Sequence, residues 1–437
     1  MQTAKKTSML TDREQYLEAS GYNVFNIHPS LIEADLMTDS WTELVSKEIA
    51  DRMQSLREQV DYSDRATHAA ALFPFKHFIN VSQGRAAEAY FWRAAGKKDK
   101  QVIQNLLFPT TRHHLVLNRM EPVELPVRHV FSRDSDDLFR GNLDCERLRD
   151  LLATEGAEKI AYIYIEAENN ASGGYPVSMA NVKEIRALVA DHKIQMVLDA
   201  TRLIENAVLI QRFEPGYSNT PVREIVREFC SYFDSMTCSL AKDFGITRGG
   251  LIATNDERLF YRIKDVVATF GPGVNVTDKA MINAALKDFD FVERAVKRRV
   301  DQTARLHAAF TTNGLPLASP ASGHCLVLDV ADYIDAGRYT NAIVSFDAWV
   351  YAQSGVRGGM HVTGMMREYA RPSLVRFAIP LCTADKKIDA LTGPFIDSLK
   401  QIGHIPDMQK TSNMPGMSGL MQATYRPIDP KPCPIDY

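Results

Sequence analysis

What this chain of 437 residues lacks narrows its function first. No apolar run reaches the roughly 20 residues that span a bilayer, so no membrane helix is expected. The opening Met1-Gln2-Thr3-Ala4-Lys5-Lys6 leads into polar sequence without an apolar signal core, and a cytoplasmic location is expected from it. Charge of one sign is also missing: 51 Lys and Arg stand against 54 Asp and Glu, a formal net charge of −3. Such a balance gives no electrostatic reason to expect nucleic acid or an anionic membrane as partner. Cysteine is sparse. Cys145, Cys230, Cys238, Cys325, Cys382 and Cys433 are scattered without metal-ligand spacing, which predicts buried free thiols and no metal. Internal repeats and low-complexity tracts are absent too.

What is present is the composition of a folded enzyme, 45% hydrophobic and 24% charged, long enough for two or three domains. Short apolar segments alternate with amphipathic ones through the middle of the chain, the mark of a parallel sheet covered on both faces. Strands are predicted at His77–Gln83, Gln104–Phe108, Ile160–Glu166, Gln195–Asp199, Ser235–Ser239 and Gly250–Thr254. Leu143–Thr154 and Asn181–Asp191 carry apolar residues every three to four positions and predict helices. Asp278 to about Thr312 reads as one long helix. Beyond it, strands at His324–Asp329 and Leu374–Pro380 alternate with helices at Ala342–Ser354 and Lys386–Ile402, a smaller α+β unit. The tail from Met408, rich in Pro, Met and Gly, predicts a surface wrap. The expected division is an N-terminal arm (1–40) joining the small domain, a large domain (41–285) and a small C-terminal domain with its tail (286–437).

Three signals within the large domain carry chemistry. The apolar strand Val197-Leu198 ends in Asp199-Ala200-Thr201-Arg202, and 43 residues after Asp199 comes Lys242, on the turn Thr237-Cys238-Ser239-Leu240-Ala241-Lys242-Asp243, with Gly249-Gly250 just beyond. A lysine on a small-residue turn and an aspartate at a strand end are what a pyridoxal 5'-phosphate enzyme requires. The amine forms a Schiff base with the cofactor aldehyde, and the carboxylate keeps the pyridine nitrogen protonated, so that the ring absorbs electrons. A third signal, Gln83-Gly84-Arg85, follows a strand and opens a helix, where N–H groups and a guanidinium suit a phosphate dianion. Taken alone, a strand–Gly–helix turn is common. Arg376 interrupts the apolar run Leu374-Val375-Arg376-Phe377-Ala378-Ile379, where an unpaired charge is costly, and is the candidate to grip a substrate carboxylate.

The chain resembles the tryptophanase and tyrosine phenol-lyase family of pyridoxal phosphate β-eliminating lyases, from about Arg13 to Pro380. The resemblance is carried by Asp35-Leu36-Met37-Thr38-Asp39-Ser40, Gln83-Gly84-Arg85, Asn170 with Gly173-Gly174, Pro176-Val177-Ser178-Met179-Ala180-Asn181, Asp199-Ala200-Thr201-Arg202, Glu205-Asn206-Ala207, Gly323-His324 and Arg376 through Ile379-Pro380. It implies an α/β aspartate aminotransferase-like fold (fold type I), with a mostly parallel seven-stranded sheet and a smaller α+β domain. It also implies a homodimer or homotetramer with active sites at a subunit interface, and a small-molecule amino-acid substrate.

By the same resemblance Lys242 takes the substrate Cα proton, Asp199 pairs with the ring nitrogen, and Arg202 and Asn170 approach the ring's phenolic oxygen. Phe108 stacks on the ring, Ser239 joins Gln83, Gly84 and Arg85 at the phosphate, and Ser40 joins Arg376 at the substrate carboxylate. Tyr62 protonates the leaving group, while His324 and His361 stand near the substrate. On composition alone Phe108 and His324 are equally core residues, and Arg202 an ion-pair arginine. Departures from the family gather at the leaving-group end. Pro109 replaces a hydrogen-bonding residue after Phe108, and His361 stands where a phenol-reading arginine is usual. Val60 and Trp41 replace cation-binding positions, and Ala241 replaces a lysine. The expected activity is loss of the β-substituent of an aromatic or related L-amino acid, giving aminoacrylate and then a keto acid and ammonium. The alternatives are β-replacement, retro-aldol cleavage, transamination or oxidation on the same cofactor, or a non-catalytic relative.

Overall fold

The computed structural model describes residues 2–41, 47–64, 68–133, 135–271, 273–360, 374–403, 405–412 and 422–429. Its centre is a seven-stranded sheet built from β2 (His77–Val81), β3 (Gln101–Gln104), β4 (Glu121–Glu124), β5 (Ile160–Glu166), β6 (Gln195–Asp199), β7 (Ser235–Ser239) and β8 (Gly250–Thr254). The strand β1 (Ala34–Asp35) lies outside it. The spatial order is β2-β8-β7-β6-β5-β3-β4, parallel from β7 to β4, with β8 antiparallel to both its neighbours. Two reversals at β8 restore β2 to the direction of β7. The C-terminal ends of β2, β5, β6 and β7 therefore open on one edge, where ligands of α/β sheets bind.

Local sequence explains these elements. Every residue of β5, Ile-Ala-Tyr-Ile-Tyr-Ile-Glu, is buried, as expected of a central parallel strand covered on both faces. Period-two geometry sends Ile163 and Ile165 into the main core and Tyr162 and Tyr164 into a second cluster around Trp92. Burying each such aliphatic side chain contributes roughly 1.5–3 kcal/mol before chain entropy is counted. The flanking helices start on side-chain caps. Asp144 accepts from Arg147 N before α5 (Cys145–Glu155), and Ser178 from Asn181 N before α6 (Met179–Val189). Gly156, at φ +88°, ends α5 in a conformation a side chain would resist.

A second, antiparallel sheet of β9 (Cys325–Asp329), β11 (Gly359–Met360) and β12 (Leu374–Ala378) runs in the order β11-β12-β9. Its own core includes Phe346 and Val350 of α12 (Ala342–Ser354) and Ile388 and Phe395 of α13 (Asp385–Lys400). The N-terminal arm attaches here: β1 pairs in parallel with β10 (Val356–Arg357), and Ala378 N donates to Leu36 O at 2.7 Å.

Two expectations change, and two features were not foreseen. The long helix is two, α10 (Val276–Lys287) and α11 (Phe289–Thr312), broken at Asp288 (ψ 48°), whose carboxylate is held by Arg52 at 2.8 Å. The strand expected at Gln104–Phe108 is Gln101–Gln104, because the following residues turn into α4 (Pro109–Leu117). The edge strand β4, Glu-Pro-Val-Glu, had no alternating apolar signal to reveal it. In the tail, β13 (Asp407–Lys410) and β14 (Tyr425–Ile428) pair with each other. No helix among the described residues is long and apolar enough to cross a membrane.

Candidate active site

The strand ends of the large sheet open into a cavity of about 330 Å³. Of the expected site residues, Ser40, Gln83, Gly84, Arg85, Phe108, Asp199, Arg202, Ser239, Lys242 and Arg376 line it together. They arrive from several elements far apart in sequence. Asp199 ends β6 and Ser239 ends β7; Lys242 follows on the turn, and Arg376 comes from the centre of β12.

Asp199 is fixed in orientation: Thr201 N donates to Oδ1 at 3.0 Å and the Tyr164 hydroxyl to Oδ2 at 3.2 Å. The turn carrying Lys242 is pinned by Leu240 N to Gly249 O (3.1 Å) and by Trp41 N to Ala241 O (2.8 Å). Burial of the Lys242 amine lowers its pKa below the ordinary lysine value, and the Arg202 and Arg376 charges work in the same direction against Asp39 and Asp199. A lysine so placed yields its neutral, nucleophilic form more readily.

The helix α3 (Gly84–Ala95) begins at the cavity wall, and its cap residue Gln83, extended at φ −168°, makes no side-chain cap bond. A Cβ at Gly84 would stand 2.5 Å from Ser239 Cβ, so only glycine lets the helix start this close to the end of β7. The result is a helix N-terminus beside the Ser239 hydroxyl and the Arg85 side chain, a cradle suited to a phosphate.

Arg202 is clamped by Asp39, Nε to Oδ2 at 2.8 Å and Nη2 to Oδ1 at 3.0 Å. Burial alone would raise the Asp39 pKa, but the Arg202 charge, with His324 and Lys242, outweighs it and holds the carboxyl well below its usual range. Asn170 stands behind the cavity wall. Its Oδ1 accepts from Arg376 and, at 3.5 Å, from Arg202, so one amide oxygen ties the two cavity guanidiniums.

Two expected residues lie elsewhere, and a third is not among those described. His324 is fully buried, with Nδ1 2.6 Å from Glu168 Oε1 and 3.2 Å from Glu205 Oε1; it faces a carboxylate pair, not the cavity. Burial, reinforced by Arg202, pushes the imidazole down to about 4. Tyr62 is 56% exposed and does not line the cavity of its own chain. His361 falls outside the described residues. The Glu168–Glu205–His324 group has the donor types of a metal site, yet Arg299 contacts Glu205 and Arg202 Nε lies 3.9 Å from Glu168. Guanidiniums already balance those carboxylates, so the group reads as an ion-pair network.

Sequence reasoning missed two cavity acids. Glu166 ends β5 directly opposite Asp199 in strand register and accepts from Asn170 N at 3.1 Å; burial, then the Asp199 charge, pushes it up to about 8. Glu88, within the buried stripe Ala87, Glu88, Phe91, Trp92 and Ala95 of α3, is pushed by burial and Asp199 up to about 7. An acid at a helical core position was the available signal for Glu88. The residues present fit pyridoxal 5'-phosphate: Lys242 for its aldehyde carbon, Asp199 for its ring nitrogen, Phe108 for its face, and the α3 cradle for its phosphate.

Comparison with known proteins agrees with this geometry. The family model for β-eliminating lyases matches residues 35–366. The chain belongs to the β-eliminating lyase family. Tyrosine phenol-lyase of Clostridium tetani is 32% identical over 361 residues, covering 79% of this chain and 77% of that protein. Tryptophanase of Salinibacter ruber is 32% identical over 396 residues, covering 84% and 82%. Among solved structures, Bna3p of Saccharomyces cerevisiae superposes with a TM-score of 0.62 at 14% identity, covering 84% of this chain and 91% of that one. Serine palmitoyltransferase of Sphingomonas wittichii gives 0.59 at 14% identity, covering 85% and 88%. The fold is that of the aspartate aminotransferase-like enzymes, as the resemblance implied.

Proposed function

We propose that this chain is a pyridoxal phosphate-dependent lyase that removes the β-substituent of an L-amino acid, releasing a keto acid and ammonium. The observation that carries the reading is the convergence of Lys242, Asp199, Arg376 and the α3 phosphate cradle on one cavity. Pyridoxal phosphate, when bound, supplies the electron sink for negative charge developing at the substrate α-carbon. The chain supplies the rest. Arg376 receives the substrate carboxylate, its guanidinium oriented by Asn170, and Ser40 closes on the same group. Lys242 Nζ, made less basic by burial, takes the α-proton. Asp199, held in orientation by Tyr164 and Thr201, is the carboxylate partner for the ring nitrogen. Arg202, locked by Asp39, holds a fixed positive charge beside the lysine.

Tyr62 is assigned the protonation of the leaving group. Because it is exposed and away from its own cavity, it does so in the cavity of a second copy, in a homodimer or homotetramer. The side chain that leaves is not a tyrosine or tryptophan ring by default. Pro109, directly after the stacking Phe108, offers no side-chain hydrogen bond at the leaving-group end. That same observation favours a second reading, β-replacement at the same carbon. The test is product analysis with a panel of L-amino acids. Keto acid and ammonium in equal amounts are expected with at least one substrate, and no keto acid from any of them would overturn the lyase reading. A substituted amino acid formed with an added nucleophile would establish replacement.

A further inference from the structure

Glu88 has no part in the steps above, yet it lines the cavity. It lies four residues after Gly84, one helical turn in and on the same face as the phosphate cradle. Its neighbours on the buried stripe, Ala87, Phe91, Trp92 and Ala95, pack as apolar residues do, and an apolar side chain would fill the stripe without burying a carboxyl group. What the carboxyl gains is a pair of hydroxyl donors from another helix: Thr110 Oγ1 to Oε2 at 2.6 Å, and Thr111 Oγ1 to Oε1. These are the second and third residues of α4, and the residue that caps α4 is Phe108. On the other side, Glu124 of β4 accepts from Leu107 N at 2.8 Å and pairs with Arg112 at 2.8 Å. The start of α4 is thus held to the sheet edge by one carboxylate and to α3 by the other.

We propose that Glu88 is a positioning residue that, through Thr110 and Thr111, ties the phosphate cradle at the start of α3 to Phe108 at the start of α4. It thereby fixes the separation between the seat of the cofactor phosphate and the ring that stacks on the cofactor. The proposal rests on the cofactor reading above. Phe108 meets the ring; Glu88 acts on the cofactor through it.

The experiment uses the full chain and pyridoxal phosphate, reading the dissociation constant by absorbance titration and ring orientation by the visible circular dichroism of the bound cofactor. Far-ultraviolet circular dichroism confirms folding of every variant. Glu88→Ala and the double variant Thr110→Val/Thr111→Val are each expected to weaken cofactor binding about tenfold to a hundredfold and to alter the visible band, as two hydrogen bonds to one carboxyl are lost. Glu88→Gln, which can still accept from one threonine and donate to the other, is expected to restore the band and most of the affinity. In a Phe108→Ala background, Glu88→Ala is expected to add little, since the two act as one unit. Full additivity with Phe108→Ala, or a wild-type band and affinity in the folded threonine double variant, would overturn the proposal. Should Glu88→Ala not fold, the valine pair and Glu88→Gln decide it. If the unmodified chain binds no pyridoxal phosphate, the cofactor reading itself has failed; binding with unchanged variants sinks the role of Glu88 alone.

Discussion

At the residue scale the site is a set of charges held in place by other charges. Asp199 and Lys242 face one cavity; Tyr164 and Thr201 hold the carboxylate in orientation, and burial makes the Lys242 amine less basic. Lys242→Ala removes both the nucleophile and the proposed base. It is expected to abolish turnover, with at least a thousandfold loss measured as keto-acid release. Asp199→Asn keeps the shape but loses the charge. Each unit lost from the ring-nitrogen pKa corresponds to about 1.4 kcal/mol, and several units predict a fall in kcat of at least about a hundredfold with the cofactor still bound. His324 gives a test with a definite sign. Its imidazole is pushed down to about 4 in the folded chain, against roughly 6.5 unfolded. Between those values the unfolded state binds the extra proton, so this contribution is complete above about pH 6.5 and is lost as the pH falls towards 4. The shift corresponds to roughly 3 kcal/mol. Denaturant titrations from pH 4 to 7 are expected to show a flatter stability profile for His324→Gln than for wild type across that window; parallel profiles would remove the assignment.

At the scale of elements, the site depends on how helices begin. The α3 helix starts at a glycine because β7 ends where a Cβ would sit, 2.5 Å from Ser239 Cβ. Gly84→Ala is therefore expected to displace the start of α3 and weaken pyridoxal phosphate binding about tenfold or more, while leaving the remote small sheet intact. Thermal unfolding beside cofactor titration separates the two effects. An exposed glycine such as Gly216, at φ +91° with open space around it, supplies the control: alanine there strains the backbone but leaves cofactor affinity unchanged. Much at this scale was legible beforehand. The strand Ile160–Glu166 and the strand end at Asp199 are marked by unbroken apolar runs, and both stand in the structure with those bounds. The break at Asp288 was not legible. It lies within a continuous helical pattern, and the residue that holds the Asp288 carboxylate there, Arg52, is 236 residues away.

At the scale of the whole molecule, the N-terminal arm is the feature that joins the parts. Residues 34 and 35 pair with β10 and Leu36 bonds to β12 of the small sheet, while Asp39 clamps Arg202 and Trp41 N reaches Ala241 beside Lys242. Asp39→Ala would leave Arg202 buried without its bidentate partner, a loss of about 3–5 kcal/mol when one member of a buried pair is removed. A clear drop in melting temperature is expected together with weakened cofactor binding. The exposure of Tyr62 makes assembly part of the mechanism proposed. Two inactive variants, Lys242→Ala and Tyr62→Phe, are expected to regain part of the activity when refolded together, because mixed assemblies contain a cavity with both intact residues. Light scattering showing only monomers, or mixing without recovery, would remove Tyr62 from the reaction.

The sequence by itself marked most strands of the large sheet, the family, and Lys242, Asp199, Arg85 and Arg376 as candidate groups, because strand periodicity, turn residues and buried-charge costs are local or nearly so. It also marked Asp39 within a motif, but not that its carboxylate clamps Arg202, 163 residues away. Only the tertiary structure decided that His324 faces carboxylates instead of the cavity, that Tyr62 stands outside its own site, and that Glu88 joins two helix starts. Those facts depend on which distant elements meet, and no spacing along the chain encodes the separation between two helices.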